Sequence, residues 1–519
     1  MNRSFLAHPL LVALAPVLFV CAHNANQVDA STAFAAVGGT LAGTLVVLAL
    51  CALAFRDVVR GAILTSLFAV LFFLYGRMYE WAWEKKYLVT SVALHGTLVI
   101  LCIVLLGACV LALVRTTRDL KELSAGLTRF SGLLVLWSAG TLIWEVASRG
   151  RSTADNNGRV WPSVPALRSD AAETPDIYYI IMDGYARQDV LKDVYKFDNS
   201  AFIAALRKRG FFVAEHGRSN YPMTHLSLAS TLSLRYLTTK EVTGKGGRSP
   251  MYKRIRRNEA AQYLQGKGYR YVHFNTNYGG TETSRFADIR YSYRLPVLQT
   301  ELMSVLLRTT MLRPFEPSVA HMDLFMLDKV TEVPDIEGPT FTFLHLLLPH
   351  NPYVFDREGN IRADIPLTLQ FVERTGGWGA RKEYIDQLIY LNRRMEGIID
   401  ALIARSATPP IIILQSDHGS SSLYRKNMSS AKKLSFYNER TANFNAWYAP
   451  ANIRSELSDD MVPVNTFRLV FRQLFGAAFP TLEKHIYMSW YGSGDKVKEI
   501  TGLLDLPPVD PSAPAADVP

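Results

Sequence analysis

Five apolar runs fill the first 150 residues, at about 6–22, 33–55, 59–76, 88–114 and 129–147. A helix needs roughly 20 predominantly apolar residues to cross the hydrocarbon core, because lipid offers backbone N–H and C=O groups no partners. Runs of this length, repeated this often, leave an α-helical membrane domain of about five spans, residues 1–148, as the expected fold of this part. The first and third runs are short of the ideal length. Asn2 and Arg3 give the first the look of a leader, yet four further spans follow, so it is expected to remain a helix.

Charge orients the bundle. The loops around Arg56–Arg60 and Arg115–Arg129 are rich in Arg and Lys, whereas 23–32 carries neither. The positive-inside rule then places the N-terminus and both basic loops in the cytoplasm, and an odd number of spans puts everything after residue 148 on the far side. The stretch GRMYEWAWEKKY (76–87) reads as an outer loop. Its Tyr79, Trp81, Trp83 and Tyr87 form either an interfacial belt or a floor beneath a following domain that helps bind a lipid. Glu145 is the one charged residue that falls inside a span, near its end, which argues against a transporter.

The chain carries 56 Lys+Arg against 46 Asp+Glu, a net charge of +10, but no Lys/Arg block of the kind that binds nucleic acid. Its four cysteines, Cys21, Cys51, Cys102 and Cys109, all lie in the apolar part. The remainder can have neither a disulfide framework nor a cysteine nucleophile.

Residues 149–175, rich in Pro, Gly and Ser, read as a linker. Beyond them strands and helices alternate. DIYYIIMD (176–183), YRYVHFN (269–275), GPTFTFLHLLL (338–348), PPIIILQSD (409–417) and NAWYAP (445–450) are strand-like; 201–210 and 383–406 have helical spacing. Continuous apolar strands between helices predict a C-terminal α/β domain, 176–506, with a mainly parallel sheet covered on both faces. The end, 507–519, reads as a disordered tail.

In such sheets ligands bind beyond the carboxyl ends of the strands. Three strands here end in unusual polar residues: IIMDG delivers Asp183, FLHLLLPHNPY delivers His345 and His350, and ILQSDHG delivers Asp417 and His418. A strand-end Asp often only caps the next helix, but three converging sets point to a divalent-metal site. SNYPMTHLSLASTLS (219–233) supplies a hydroxyl to complete it. Thr224 opens a helix, where free N–H groups and the helix dipole favour an anion; it is either a nucleophile or an N-cap. Ser227, one turn on, either bonds an oxyanion or is a bystander. Arg187 either faces a phosphate or serves the surface. Glu439 and Arg440 are close enough to the DHG segment to line a pocket.

The order strand-MDG, Thr at a helix start, HLLLPHNPY and SDHG resembles the alkaline phosphatase superfamily. Within it the chain is similar to the membrane-anchored, sulfatase-like branch that includes lipoteichoic acid synthases and lipid A phosphoethanolamine transferases. The resemblance spans residue 1 to about 490. It implies five membrane helices followed by an extracytoplasmic catalytic domain. It further implies that Asp183, Thr224, Asp417 and His418 hold one divalent metal, Zn or Mn, with Thr224 as the nucleophile that becomes phosphorylated. His345 and His350 match two histidines, five residues apart, that hold a substrate head group or a second metal; His345 could instead be a core imidazole. The third histidine that phosphoethanolamine transferases carry after DHG has no counterpart, the only later one being His485.

No C/S-x-P-x-R motif is present, so formylglycine chemistry is not expected, and the absence of disulfides leans towards phosphoglycerol-type transfer. The resemblance thus implies a multi-pass protein of the bacterial-type inner membrane. It would transfer a phospho-head group, phosphoglycerol or phosphoethanolamine, from a membrane lipid donor to an envelope glycan or lipid acceptor, with no nucleic-acid partner. The alternatives are a phosphate- or sulfate-ester hydrolase of the same superfamily and a non-catalytic glycan- or partner-binding protein.

Overall fold

A computed structural model describes residues 6–24, 28, 30–84, 91–148, 174–243, 248–294, 300–315, 318–362, 378–425, 428–489 and 497–504. The linker, apart from residues 174 and 175, and the C-terminal tail lie outside these residues. The chain divides into two compact units, one made of 1–154 and 297–317, the other of 155–296 and 318–519.

Among the described residues, the N-terminal stretch of the first unit holds five helices, α1 (His8–His23), α2 (Ala30–Phe55), α3 (Val58–Glu84), α4 (Ser91–Arg115) and α5 (Lys121–Ser148). Four of them, over Ala30–Phe55, Val58–Ala82, Ala93–Arg115 and Lys121–Trp144, are long and apolar enough to cross a membrane. The 16 residues of α1 would span about 24 Å, short of the hydrocarbon core. The stretch expected as a loop from residue 76 instead continues α3 to Glu84. Gly76 marks the place where another backbone crosses that helix: a Cβ there would lie 2.3 Å from the Arg308 carbonyl oxygen. Tyr79 is buried and stacks on His95 at 4.4 Å, whereas Trp81 is exposed; the side chain of Trp83, and Tyr87, lie outside what is described.

The crossing backbone belongs to 300–315, a stretch that the sequence placed in the α/β domain. Its helix, Glu301–Thr309, starts on a Thr300 side chain that accepts from Met303 N. Leu302 and Leu306 face inward against Val17, Cys21 and Ala36. Beyond the helix, Met311 N donates to Phe72 O at 3.0 Å, and Arg313 sits 4.3 Å over the Tyr79 ring and 3.5 Å from Glu80. The physical reason is the amphipathic pattern ELMSVLLRT, whose apolar face is buried by packing on membrane helices.

The second unit is built on a seven-stranded sheet of β1 (Ile177–Met182), β2 (Phe212–Val213), β3 (Arg270–Phe274), β4 (Ile289–Tyr291), β5 (Thr340–Leu346), β6 (Ile411–Gln415) and β7 (Asn445–Tyr448), in the order β2-β7-β6-β1-β5-β3-β4. β6, β1, β5, β3 and β4 run parallel; β7 opposes both neighbours. Every residue of β1, β5 and β6 is buried, because helices cover both faces. The two-residue period splits β1 cleanly. Tyr178, Ile180 and Met182 join one core with the helix Arg381–Arg405, and Ile177, Tyr179 and Ile181 join the other with the helices Thr224–Leu232 and Thr466–Phe475.

Candidate active site

Register and parity assemble the site. β1 pairs with β5 so that Ile181 opposes His345, and with β6 so that Ile181 opposes Gln415. Two residues past these positions stand Asp183 and Asp417, at the carboxyl ends of two adjacent strands. Counting by twos from Tyr179, Phe343 and Ile413 puts Asp183, His345 and Asp417 on the face that carries the helix Thr224–Leu232. Asp183 N still donates to Leu346 O at 3.0 Å, so the ladder runs to the site's edge.

Two glycines make the geometry possible. Gly184, at φ +65°, turns the chain so that its N–H donates to Asp417 Oδ1 at 3.0 Å; a Cβ there would strike the Trp378 ring at 2.4 Å. A Cβ on Gly419 would lie 2.1 Å from the Glu439 carbonyl oxygen, so the last letter of DHG admits no side chain.

Asp183, Asp417 and His418 are all buried and offer ligand atoms within 4.8 Å of one another. Thr224 Oγ1 lies 3.2 Å from His418 Nε2, which is 3.2 Å from Asp417 Oδ2 and 3.7 Å from Asp183 Oδ1. His418 Nδ1 is 3.0 Å from the Gly419 carbonyl oxygen, which can only accept, so Nδ1 carries the proton. Nε2 therefore turns a lone pair towards two carboxylates and a hydroxyl. Asp183 Oδ1 and Asp417 Oδ2 are buried without a well-formed hydrogen bond. Burial pushes Asp417 up to about 7, and the Asp183 charge adds to the rise. Burial acts on Asp183 in the same sense, but the imidazoles of His350 and His345 beside it outweigh that and hold it well below the carboxylate range. Burial, helped by Arg440, keeps His418 neutral. Four electron-rich atoms facing one another with orphaned oxygens fit a divalent cation, and the His–carbonyl bond is the usual support of a metal-ligating imidazole.

The other expected residues divide. His345 is buried with Nε2 3.4 Å from Asp183 Oδ2, and its Nδ1 bonds Thr281 Oγ1 at 3.0 Å. Its Nε2 is unpartnered in the ordinary sense, so it is more than a satisfied core imidazole. His350 is half-buried, donates from Nδ1 to the Asn351 carbonyl at 2.7 Å, and stands 5.0 Å from the Trp378 ring and 6.4 Å from His418. Ser227 is buried one turn along from Thr224 and takes no part in the hydrogen bonds of the cluster among the described residues. Arg187 is not brought to the cluster. Its guanidinium is bidentate to Asp189 at 2.8 and 2.7 Å and donates to Gly217 O at 2.8 Å, which leaves it holding two loops together. His485 pairs with Glu499 at 2.7 Å, apart from the cluster.

Arg440 and Glu439, expected only to line a pocket, brace the site's loops, and Thr281 joins them without having been singled out. Arg440 donates to Pro222 O at 2.7 Å and Gly419 O at 3.0 Å, which clamps the Thr224 turn to the DHG loop. Glu439 accepts from Ser420 Oγ at 2.8 Å and the Ser422 and Leu423 N–H groups at 2.6 and 2.8 Å, which shapes the same loop. Thr281, bonded to Thr276 Oγ1 at 2.7 Å, orients His345 and carries no sequence signal beyond its loop.

The profile of the Sulfatase family matches residues 175–449, a little over half of the chain. No curated protein matches it. Among solved structures, the chain is similar to the C-terminal periplasmic domain of EcEptC from Escherichia coli, at 15% identity over 65% of this chain and 96% of that one, with a TM-score of 0.43. It is also similar to the soluble domain of lipooligosaccharide phosphoethanolamine transferase A from Neisseria meningitidis, at 14% identity over 57% and 87%, TM-score 0.37. A third is the phosphoethanolamine transferase EptC periplasmic domain from Campylobacter jejuni, at 14% identity over 59% and 92%, TM-score 0.35. The match of the family profile, over a segment that runs from β1 through the DHG loop to β7, establishes that this chain belongs to the sulfatase family, within the alkaline phosphatase superfamily.

Proposed function

We propose that the protein is a membrane-anchored transferase that moves a phospho-head group, of the phosphoglycerol or phosphoethanolamine kind, from a lipid donor to an envelope glycan or lipid hydroxyl by way of a phospho-threonine. The observation that carries this reading is the hydroxyl of Thr224 set 3.2 Å from His418 Nε2, beside two carboxylate oxygens buried without a well-formed hydrogen bond. One divalent cation, Zn or Mn, held by Asp183, Asp417, His418 and Thr224, would supply the positive charge that acidifies the hydroxyl and offsets charge on the phosphoryl oxygens.

The chain's own groups do the rest. Thr224 sits at the first position of its helix, so the helix N–H groups and dipole face the phosphoryl oxygens. Its hydroxyl proton is lost to solvent before attack. Thr224 Oγ1 then forms a bond to phosphorus as the P–O bond to the donor lipid breaks, and the departing oxygen takes a proton from His350, the half-buried imidazole of the site. An acceptor hydroxyl attacks the phospho-threonine in turn and gives its proton to His350; Thr224 Oγ1 leaves and regains a proton from solvent. Water in place of the acceptor turns the same steps into hydrolysis. The basic stretch 115–129 leads into α5 and the linker to the α/β domain follows its other end, which supports an inner-membrane anchor with an extracytoplasmic site.

The test is intact-mass measurement of the full chain isolated from membranes. The expected result is a covalent adduct on Thr224 whose mass names the transferred group, absent in Thr224→Ala. Head-group transfer retained by Thr224→Ala would remove the covalent step.

A further inference from the structure

We infer that the membrane unit contains a binding site for one acyl chain of a glycerophospholipid, roofed by the inserted segment 300–315. As a donor subsite it rests on the transferase reading above; as a lipid site it stands on its own geometry.

A cavity of about 400 Å³ lies between α2, α3 and the inserted segment. α2 presents its small face there, including Ala36, Gly39 and Gly43, and α3 presents Phe68, Phe72 and Phe73. Leu306 and Leu307 close it from the inserted helix. Small residues at i and i+4 on a membrane helix ordinarily let a neighbouring backbone approach. Here no neighbour does: a Cβ built on Gly39 or on Gly43 meets no atom within 4 Å. Both glycines and Ala35 are exposed, so the cavity is a groove open on its α2 side, and it is the pairing of that small face with Phe68, Phe72, Phe73 and the inserted helix that gives the groove its walls.

The lining asks for hydrocarbon. Its polar atoms are threonine hydroxyls, and those of Thr44, Thr65 and Thr310 already donate to carbonyls of their own helices or turn, at 2.8, 2.8 and 3.2 Å. The rest of the wall is predominantly apolar, and an apolar space of this size in a bilayer has the lipid tails as its abundant filler. The shape agrees. Along α2 the lining runs from Ala35 to Val47, which is about 18 Å at the helix rise and close to the depth of one leaflet of a ~30 Å core.

The end of the site is marked by charge. The segment that contributes Leu307, Thr310 and Leu312 to the lining also carries Arg308 and Arg313. Arg313 is fixed by Glu80 and by the Tyr79 ring at the end of α3, and its NH1 donates to Arg308 O at 3.2 Å. Arg313 thus pins the segment that roofs the groove to the end of α3.

The experiment uses the full chain in mild detergent, delipidated and then offered phosphatidylethanolamine or phosphatidylglycerol, with bound lipid counted by native mass spectrometry. Gly43→Leu and Gly39→Leu put a side chain into the space and are expected to lower lipid retention about tenfold. Gly107→Leu, at a position on α4 that also has no atom within 4 Å, is expected to retain lipid as the parent does. A phospholipid with a diazirine in its acyl chain is expected to label 35–47, 65–73 or 303–312. Equal retention by the α2 variants, or labelling confined to α4 and α5, would overturn the site. Thr224→Ala is expected to keep the lipid while losing the covalent adduct, so failure of the transfer reading and failure of the lipid site give different results.

Discussion

Each unit has a histidine buried among polar neighbours, His8 in one and His418 in the other, and these two are satisfied in opposite ways. In the membrane unit His8 has a hydroxyl on each ring nitrogen, Ser66 Oγ at 2.6 Å and Ser124 Oγ at 3.0 Å. In the α/β unit His418 has a carbonyl on one nitrogen and turns the other to a hydroxyl and two carboxylates. His8 closes its network: it ties α1 to α3 and α5, and nothing further is needed. His418 leaves its network open, with Asp183 Oδ1 and Asp417 Oδ2 orphaned. Burial alone does not separate structure from function here; the balance of donors and acceptors does.

The largest test of that contrast removes an acceptor from the open network. Asp417→Asn is expected to abolish stoichiometric metal by elemental analysis and to cut head-group transfer by about three orders of magnitude. The same substitution should not destabilise the metal-free protein. The carboxyl of Asp417 is raised to about 7 in the fold by burial and by Asp183, above its ordinary value of 3.8. A carboxyl raised in this way contributes stability below its unfolded pKa and loses it as pH climbs through the folded one. Chelator-treated parent protein is therefore expected to lose stability between about pH 4 and pH 7. Asp417→Asn should flatten that fall, and metal should remove it. A metal-free parent equally stable at both ends would close the open network and end the contrast.

A smaller effect is expected one bond further out. Thr281 Oγ1 stands on His345 Nδ1, and His345 Nε2 faces Asp183. Thr281→Val keeps the shape and deletes the hydrogen bond. Transfer should fall about tenfold to a hundredfold, with Thr281→Ser restoring it and the pH–rate profile displaced in the valine variant alone. A loss not restored by serine would mean that the methyl group, not the hydroxyl, is what the site uses.

What the sequence disclosed follows the same division. Strands buried on both faces write themselves as unbroken apolar runs, so β1, β5 and β6 were readable, and the polar residues that end them stood out by contrast. β2 and β4 have two and three residues with mixed exposure, too few to show a period. The Glu301–Thr309 helix displays an apolar face, but a face does not say what it packs on, and a tethered membrane bundle was its partner rather than the sheet. Asp183, Thr224, Asp417 and His418 were legible because each breaks an apolar or helical pattern. Thr281 and Trp378 break nothing around them. Arg187 misled because its guanidinium looked available; Asp189, two residues on, had already taken it.

The smallest test lies in the closed network. His8→Leu deletes both hydrogen bonds but leaves Ser66 and Ser124 able to turn to carbonyls of their own helices, as Ser131 does with Leu127 O at 2.7 Å. Interhelical hydrogen bonds in membrane proteins average well under 1 kcal/mol each, so the expected loss is about 1 kcal/mol, read as a modest fall in the thermal midpoint of the detergent-purified chain. Metal content should stay at the parent level, and the Thr224 adduct should form as before. The reason is that a satisfied histidine holds helices together and holds no charge in waiting. If His8→Leu instead emptied the metal site, the two histidines would be parts of one coupled system, and the distinction between closed and open networks would have to be drawn across the whole chain rather than within each unit.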